Sequence, residues 1–136
     1  MDEKQEIERM IRATFAAFTD GNVDALKVMD HPHSTIWDLF EPQLFVGTEE
    51  RARFRQKDLE QSKKRGKLTF DVEKPMTDIW GDVALARYYL RFNYEPPNPT
   101  HGHVRITAVF RKIDGRWLRV HHHEGAVPTG VPPITE

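Results

Sequence analysis

The stretch Val109-Phe-Arg-Lys-Ile-Asp-Gly-Arg-Trp-Leu-Arg-Val-His-His-His-Glu-Gly-Ala-Val-Pro128 decides the fold. It reads as a strand, a tight turn and a returning strand. Asp-Gly is a strong short hairpin signal, because the favoured two-residue turn needs positive φ at its central positions. Upstream, Val104, Ile106, Ala108 and Phe110 alternate with His103, Arg105, Thr107, Val109 and Arg111. Before that, Ala84, Ala86, Tyr88, Leu90 and Phe92 alternate with Val83, Leu85, Arg87, Tyr89, Arg91 and Asn93. Period-two alternation of this length predicts long strands with unlike faces. The even-numbered, apolar faces are expected to carry helices. The odd-numbered faces mix arginine and tyrosine with aliphatics, the composition of an interface. A homodimer is therefore expected, joined through Arg87, Tyr89, Arg91, Arg105 and Arg111.

The final strand admits two registers. A two-residue turn pairs Ile113 with Arg116 and sets Trp117, Arg119, His121 and His123 on the helix side. A three-residue loop with a bulge shifts the pairing by one residue and turns Leu118, Val120 and His122 inward, since one step exchanges the faces of a strand. Turn chemistry and Trp117 favour the first, Leu118 and Val120 the second. Periodicity leaves both open.

The first half of the chain is helical. Ile7, Met10, Ile11, Thr14, Phe15 and Phe18 form one stripe of a helix over residues 2–20, with Asp2 as its cap and Gly21 at its exit. Asn22 caps a short helix from Val23 to Met29, which Asp30-His31-Pro32-His33 breaks. Ser34 to Phe40 predicts a strand, and Gln43 to Val46 a short return. A third helix is expected from an N-cap at Thr48 to about Lys64. Its apolar stripe (Ala52, Phe54, Leu59) is thin. Arg51, Arg53, Arg55, Lys57, Lys63, Lys64 and Arg65, offset by Glu49, Glu50, Asp58 and Glu60, read as a solvated face. Leu68 to Val72 alternates as a strand, and Pro75 marks a bulge or an edge. Helices first and a strand meander afterwards predict an α+β domain, three helices on a curved antiparallel or mixed sheet. One domain is expected over residues 1–128, with 129–136 as a loose tail.

Composition narrows the function. The 136 residues contain no cysteine, and 20 Lys and Arg against 21 Asp and Glu leave a net charge of -1. A disulfide scaffold, a thiolate zinc site and a cysteine nucleophile are excluded. The balanced charge offers no footprint for nucleic acid or an anionic membrane. The acidic start MDEKQEIERM is unlike a signal peptide, so a cytoplasmic location is expected.

The order of elements and the closing Asp-Gly…Trp…Val-His-x-His hairpin resemble the cystatin-like cone of the SnoaL-like and nuclear-transport-factor-like superfamily. They are similar also to the association (hub) domain of calcium/calmodulin-dependent protein kinase II. Phe40-Glu41-Pro42, Gly47 before the third helix and Arg105-x-Thr107-x-Val109 fit the same pattern. The resemblance implies a pocket at the open end of a cone and a dimer through the outer sheet face. Its members include cofactor-free isomerases, dehydratases and cyclases, and non-catalytic hubs. The hub's pocket arginines correspond to Leu90 and Ala108 here, so they are absent; on the two-residue turn, Arg119 is a candidate replacement cation, a reading of this chain's own residues rather than of the resemblance.

The chemistry then falls on a few residues. Asp38, among Trp37, Leu39 and Phe40, is the candidate base, with Glu124 the other carboxylate near the pocket and His121 and His123 as proton partners. Trp37, Tyr88, Trp117 and Arg119 are the candidate ligand contacts. Seven histidines are present. His-x-His puts two rings on one strand face about 7 Å apart, but a short histidine cluster is a weak metal signal, and neither metal nor cofactor is expected. The expected ligand is a small organic molecule with an anionic or carbonyl group. The alternative is a non-catalytic association module.

Overall fold

Asp2 starts the first helix. Its carboxylate accepts from the Gln5 N–H at 2.8 Å while Gln5 accepts from the Asp2 N–H at 2.9 Å, a reciprocal capping box. In this computed structural model, which describes residues 1–135, α1 runs Glu3–Thr19 and α2 runs Val23–Met29. Glu136, the last residue of the expected tail, lies outside the described residues. There follow β1 (Asp30–Trp37), β2 (Leu44–Val46), α3 (Gly47–Ser62), β3 (Leu68–Val72), β4 (Met76–Trp80), β5 (Val83–Tyr94), β6 (Thr100–Ile113) and β7 (Arg116–Ala126).

The strands form one mixed sheet in the order β2-β1-β7-β6-β5-β3, with β4 paired to β5 beyond the end of β3. All pairs are antiparallel except β1 with β7. The concave face packs on α1: Ile7, Ile11 and Phe15 meet Ala84, Ala86, Tyr88, Leu90, Val104, Ile106, Ala108 and Phe110 in one buried cluster. The even-numbered faces of β5 and β6 thus carry the helix, as their composition requires.

Several boundaries move from their expected places. β1 begins at Asp30, not Ser34, and ends at Trp37, not Phe40. It stops there because Asp38 Oδ2 accepts from the N–H groups of Phe40 (2.9 Å) and Glu41 (3.3 Å), a local turn that competes with the ladder. α3 begins without a side-chain cap, since the Thr48 hydroxyl donates instead to the Pro32 carbonyl.

The final hairpin realises both registers in succession. Ile113 pairs with Arg116 across the two-residue Asp114-Gly115 turn, and Phe110 pairs with Arg119. Val109 then pairs with His121, so Val120 is an extra residue, a bulge. Before the bulge Trp117 and Arg119 face inward; after it His122 and Glu124 do, opposite Ala108 and Ile106. His121 and His123 turn to the outer face, opposite Val109 and Thr107, which corrects the register that set them inside with Arg119.

Residues 127–135 form neither helix nor strand. Among the described residues no helix is long and apolar enough to cross a membrane.

Deleting Val120 would restore unbroken alternation, so either Trp117 and Arg119 or His122 and Glu124 must leave the concave face. The expected loss is about 3–5 kcal/mol, the scale of breaking a buried ion pair, read as a lowered urea midpoint for the deletion variant.

Candidate functional site

The open end of the cone holds a cavity of ≈ 140 Å³ between α1, α3, the Asp38–Phe40 turn and the concave sheet. Phe15, Phe18, Phe70, Phe92, Leu68 and Leu90 give it an apolar wall. Two polar groups interrupt that wall, one on each side of the β7 bulge.

The first is centred on Asp30, whose side chain is 1% exposed. Its Oδ1 accepts from Arg119 Nε at 2.8 Å; its Oδ2 meets Arg55 Nη2 at 3.0 Å and Arg51 Nη1 at 3.1 Å. Burial alone would push this carboxyl up, but the three guanidinium groups more than offset it and hold Asp30 below the usual carboxylate range. Arg119 Nη2 also donates to the Thr14 hydroxyl at 2.9 Å. Arg119 Nη1 is buried without a hydrogen-bond partner among the described residues. Arg51 and Arg55, expected on a solvated face, turn inward instead, because Asp30 is their counter-ion.

The second is a carboxyl pair. Asp38 and Glu124 lie close enough for each to act on the other's proton affinity. Glu124 Oε2 lies 3.1 Å from His122 Nε2, and its Oε1 accepts from the Leu39 N–H at 3.3 Å. Burial and the adjacent Glu124 charge push Asp38 up to about 7, against the Phe40 N–H that favours its ionised form. Burial also acts on Glu124, but His122, Asp38 and the Leu39 N–H outweigh it and keep Glu124 ionised. Asp58, on α3, is pushed up to about 6 by burial and by Glu124. Two interacting carboxyls whose environments drive them apart hold one proton between them near neutrality.

Asp38, Arg119 and Glu124 all line the cavity. His121 and His123 lie outside it, edge-on to the half-exposed Trp37 at 5.7 and 5.1 Å between ring centroids. Thr35 Oγ1 sits 2.6 Å from His121 Nδ1. Burial and the neighbouring histidines lower the His121 pKa. Among the described residues no group of three metal-ligating side chains gathers there. Tyr88 and Trp117 are buried in the cluster around α1 rather than on the cavity wall. Burial raises the Tyr88 phenol, whose hydroxyl has no partner among the described residues. Sequence reading missed Asp30, Arg51 and Arg55 as a unit, and gave His122 no role in the chemistry. A buried acid at a helix-to-strand junction, followed by arginines one helical turn apart at 51 and 55, was the signal available.

A SnoaL-like domain model matches residues 7–129. The chain belongs to the SnoaL-like family. No curated protein matches it. Among solved structures, a proposed calcium/calmodulin-dependent protein kinase II association domain from Xanthomonas campestris is 20% identical, with 96% of this chain and 91% of that one covered and a TM-score of 0.80. An NTF2-like protein with a cystatin-like fold from Novosphingobium aromaticivorans is 15% identical, covering 94% and 84%, with a TM-score of 0.81. A proposed ketosteroid isomerase from Shewanella frigidimarina is 21% identical, covering 85% and 91%, with a TM-score of 0.73. At these identities the SnoaL-like chain shares their fold, and its chemistry rests on its own residues.

Two outcomes follow for stability. Asp30→Asn leaves the buried Arg51 and Arg119 and the partly buried Arg55 without their counter-ion, and should cost about 3–5 kcal/mol by chemical denaturation at neutral pH. Asp38 acts in the opposite sense. Its folded pKa lies above its unfolded value, so the folded state binds the extra proton between about pH 4 and 7, and stability falls as pH rises through that window. Asp38→Asn should therefore raise stability at pH 8 by about 1–2 kcal/mol, allowing for partial solvation, with little gain at pH 4. Thermal unfolding at the two pH values reads the difference.

Proposed function

We propose that this SnoaL-like domain binds a small organic molecule with a carbonyl or anionic group in the cone and moves a proton on it without a cofactor, as an isomerase, dehydratase or cyclase does. The observation that carries this reading is the Asp38–Glu124 pair, held at the edge of an apolar cavity with one proton between two carboxyls. A base is most effective with a pKa near the working pH, and Asp38 is pushed up to about 7. Asp38 takes the proton from the carbon next to a carbonyl and returns it at a second position. Glu124, fixed by His122 and the Leu39 N–H, stays ionised and sets the proton affinity of Asp38. Arg119 orients the polar end of the ligand.

Rates on a panel of enolisable ketones test this. Wild-type kcat/KM should rise through about pH 7 as Asp38 ionises. Asp38→Asn should lose about 10²–10⁴-fold, whereas His121→Ala, on the outer face, should keep the wild-type rate. Turnover by Asp38→Asn at the wild-type rate removes Asp38 from the mechanism.

A second reading, association through the outer sheet face, is favoured by one observation. Trp37, Trp80 and Tyr89 are 42%, 59% and 47% exposed on that face, beside Arg87, Arg91, Arg105 and Arg111. Sedimentation should give a homodimer that Tyr89→Asp dissociates; a monomer at every concentration tested refutes it.

A further inference from the structure

The shape and polarity of the cavity narrow the ligand class, resting on the reading of this site given above. Three features bear on it: volume, wall chemistry and the one unused corner of a buried guanidinium.

The cavity of ≈ 140 Å³ is close to the ~150 Å³ apolar cavity that holds one benzene. A fused four-ring skeleton is several times larger than one ring and would leave most of itself outside the apolar wall. The ketosteroid named for the Shewanella protein is therefore a poor fit to this chain. The wall is built from rings already packed edge-on or tilted: Phe15 on Phe70 at 5.0 Å and Phe18 on Phe70 at 6.0 Å between centroids. A further flat ring continues that geometry, with its edge against a neighbouring face.

Polarity runs along the cavity. At one side stand Arg55 and Arg119, with Arg51 behind them and Asp30 as their shared counter-ion. Further along β1 and β7 stand Asp38 and Glu124, while Asp58 on α3 feels the charges of both Glu124 and Arg55. Arg119, 1% exposed, uses Nε on Asp30 and Nη2 on Thr14. Its Nη1 has no partner among the described residues. A buried guanidinium corner left unpaired costs free energy that an anionic acceptor recovers, and a carboxylate is the acceptor whose geometry fits a guanidinium.

We propose that the natural ligand is a single-ring organic acid, its carboxylate on Arg119 Nη1, its ring among Phe15, Phe18, Phe70 and Phe92, and its reactive carbon towards Asp38. The sign matters. An amine of the same size would set its charge against the guanidinium side or give up the ring position to reach the carboxyls.

Titration calorimetry on the full chain tests this with defined probes: phenylacetate and cyclohexanecarboxylate as single-ring acids, benzyl alcohol as the uncharged ring, benzylamine as the opposite charge, and cholate as a four-ring acid. The single-ring acids should bind at least tenfold more tightly than benzyl alcohol and benzylamine, and more tightly than cholate. Leu68→Trp, which fills the cavity from its half-buried edge, should abolish binding of both acids. Arg119→Lys keeps the charge but loses the fork, and should weaken the acids while leaving benzyl alcohol unchanged; if that variant does not fold, the wild-type ranking decides alone. Equal binding of benzyl alcohol and phenylacetate, or tighter binding of benzylamine, overturns the acid assignment and leaves the proton-transfer reading standing. Tighter binding of cholate overturns the size assignment. Binding of no probe, whatever its charge, overturns both the ligand class and the pocket on which the function rests.

Discussion

The Asp30 carboxylate is the constraint on which the rest is arranged. It sits where α2 ends and β1 begins, beside the backbone of Arg119 in the parallel β1–β7 pairing. Through Arg119 it reaches β7 and, at one remove, Thr14 on α1; through Arg51 and Arg55 it reaches α3. Four elements, β1, β7, α1 and α3, are thereby tied to one side chain. α3 depends on it most, since its own apolar stripe is thin and Ala52 is exposed. A buried ion pair is weak evidence of net stability against an apolar alternative. Its value here lies in position: an apolar replacement could fill the space but would not fix the direction of a guanidinium on the cavity wall.

The bulge at Val120 is the second device, and it works with the first. Regular alternation allows a strand to offer every second residue to one face. Arg119 and His122 are three apart and Arg119 and Glu124 five apart, so an unbroken β7 could not present all of them inward. One extra residue lets Arg119 face the cavity from the Asp30 side while His122 and Glu124 face it from the Asp38 side. The opposed polarities of the cavity are thus consequences of a single insertion in the ladder. The same insertion sends His121 and His123 outward, where they pack on Trp37.

Much of this was legible in the residues, and the exceptions have physical causes. The alternation of β5 and β6, the Asp114-Gly115 turn and the α1 stripe specify the sheet and the helix it covers, because burial of one face over many residues leaves one consistent arrangement. The final strand carried conflicting signals, Trp117 for one register and Leu118 and Val120 for the other. The conflict was itself the mark of the bulge, but period two has no means of locating an inserted residue. Arg51 and Arg55 were misread because charge on a helix usually means solvent, and their partner lies more than twenty residues away in sequence. Asp38 was legible as a desolvated carboxylate from its aromatic neighbours. Its dependence on Glu124 required the three-dimensional pairing of the β1 end with the β7 end.

The two polar groups differ in their energetic sense, and that difference separates scaffold from site. Asp30 is satisfied: its carboxylate is held below the usual range, and folding favours its charged form. Asp38 is frustrated: folding raises its proton affinity by placing it in an apolar wall beside an ionised Glu124. Such an arrangement opposes folding above the unfolded pKa, and nothing in the packing of β1 requires it, since an amide at the same position could accept from the Phe40 N–H without carrying charge. A chain selected only for stability, or only for assembly through its outer face, gains nothing from burying Asp38 against Glu124. Under the proposed function, this local instability is the consequence of keeping a carboxyl poised to exchange a proton with a molecule in the cavity.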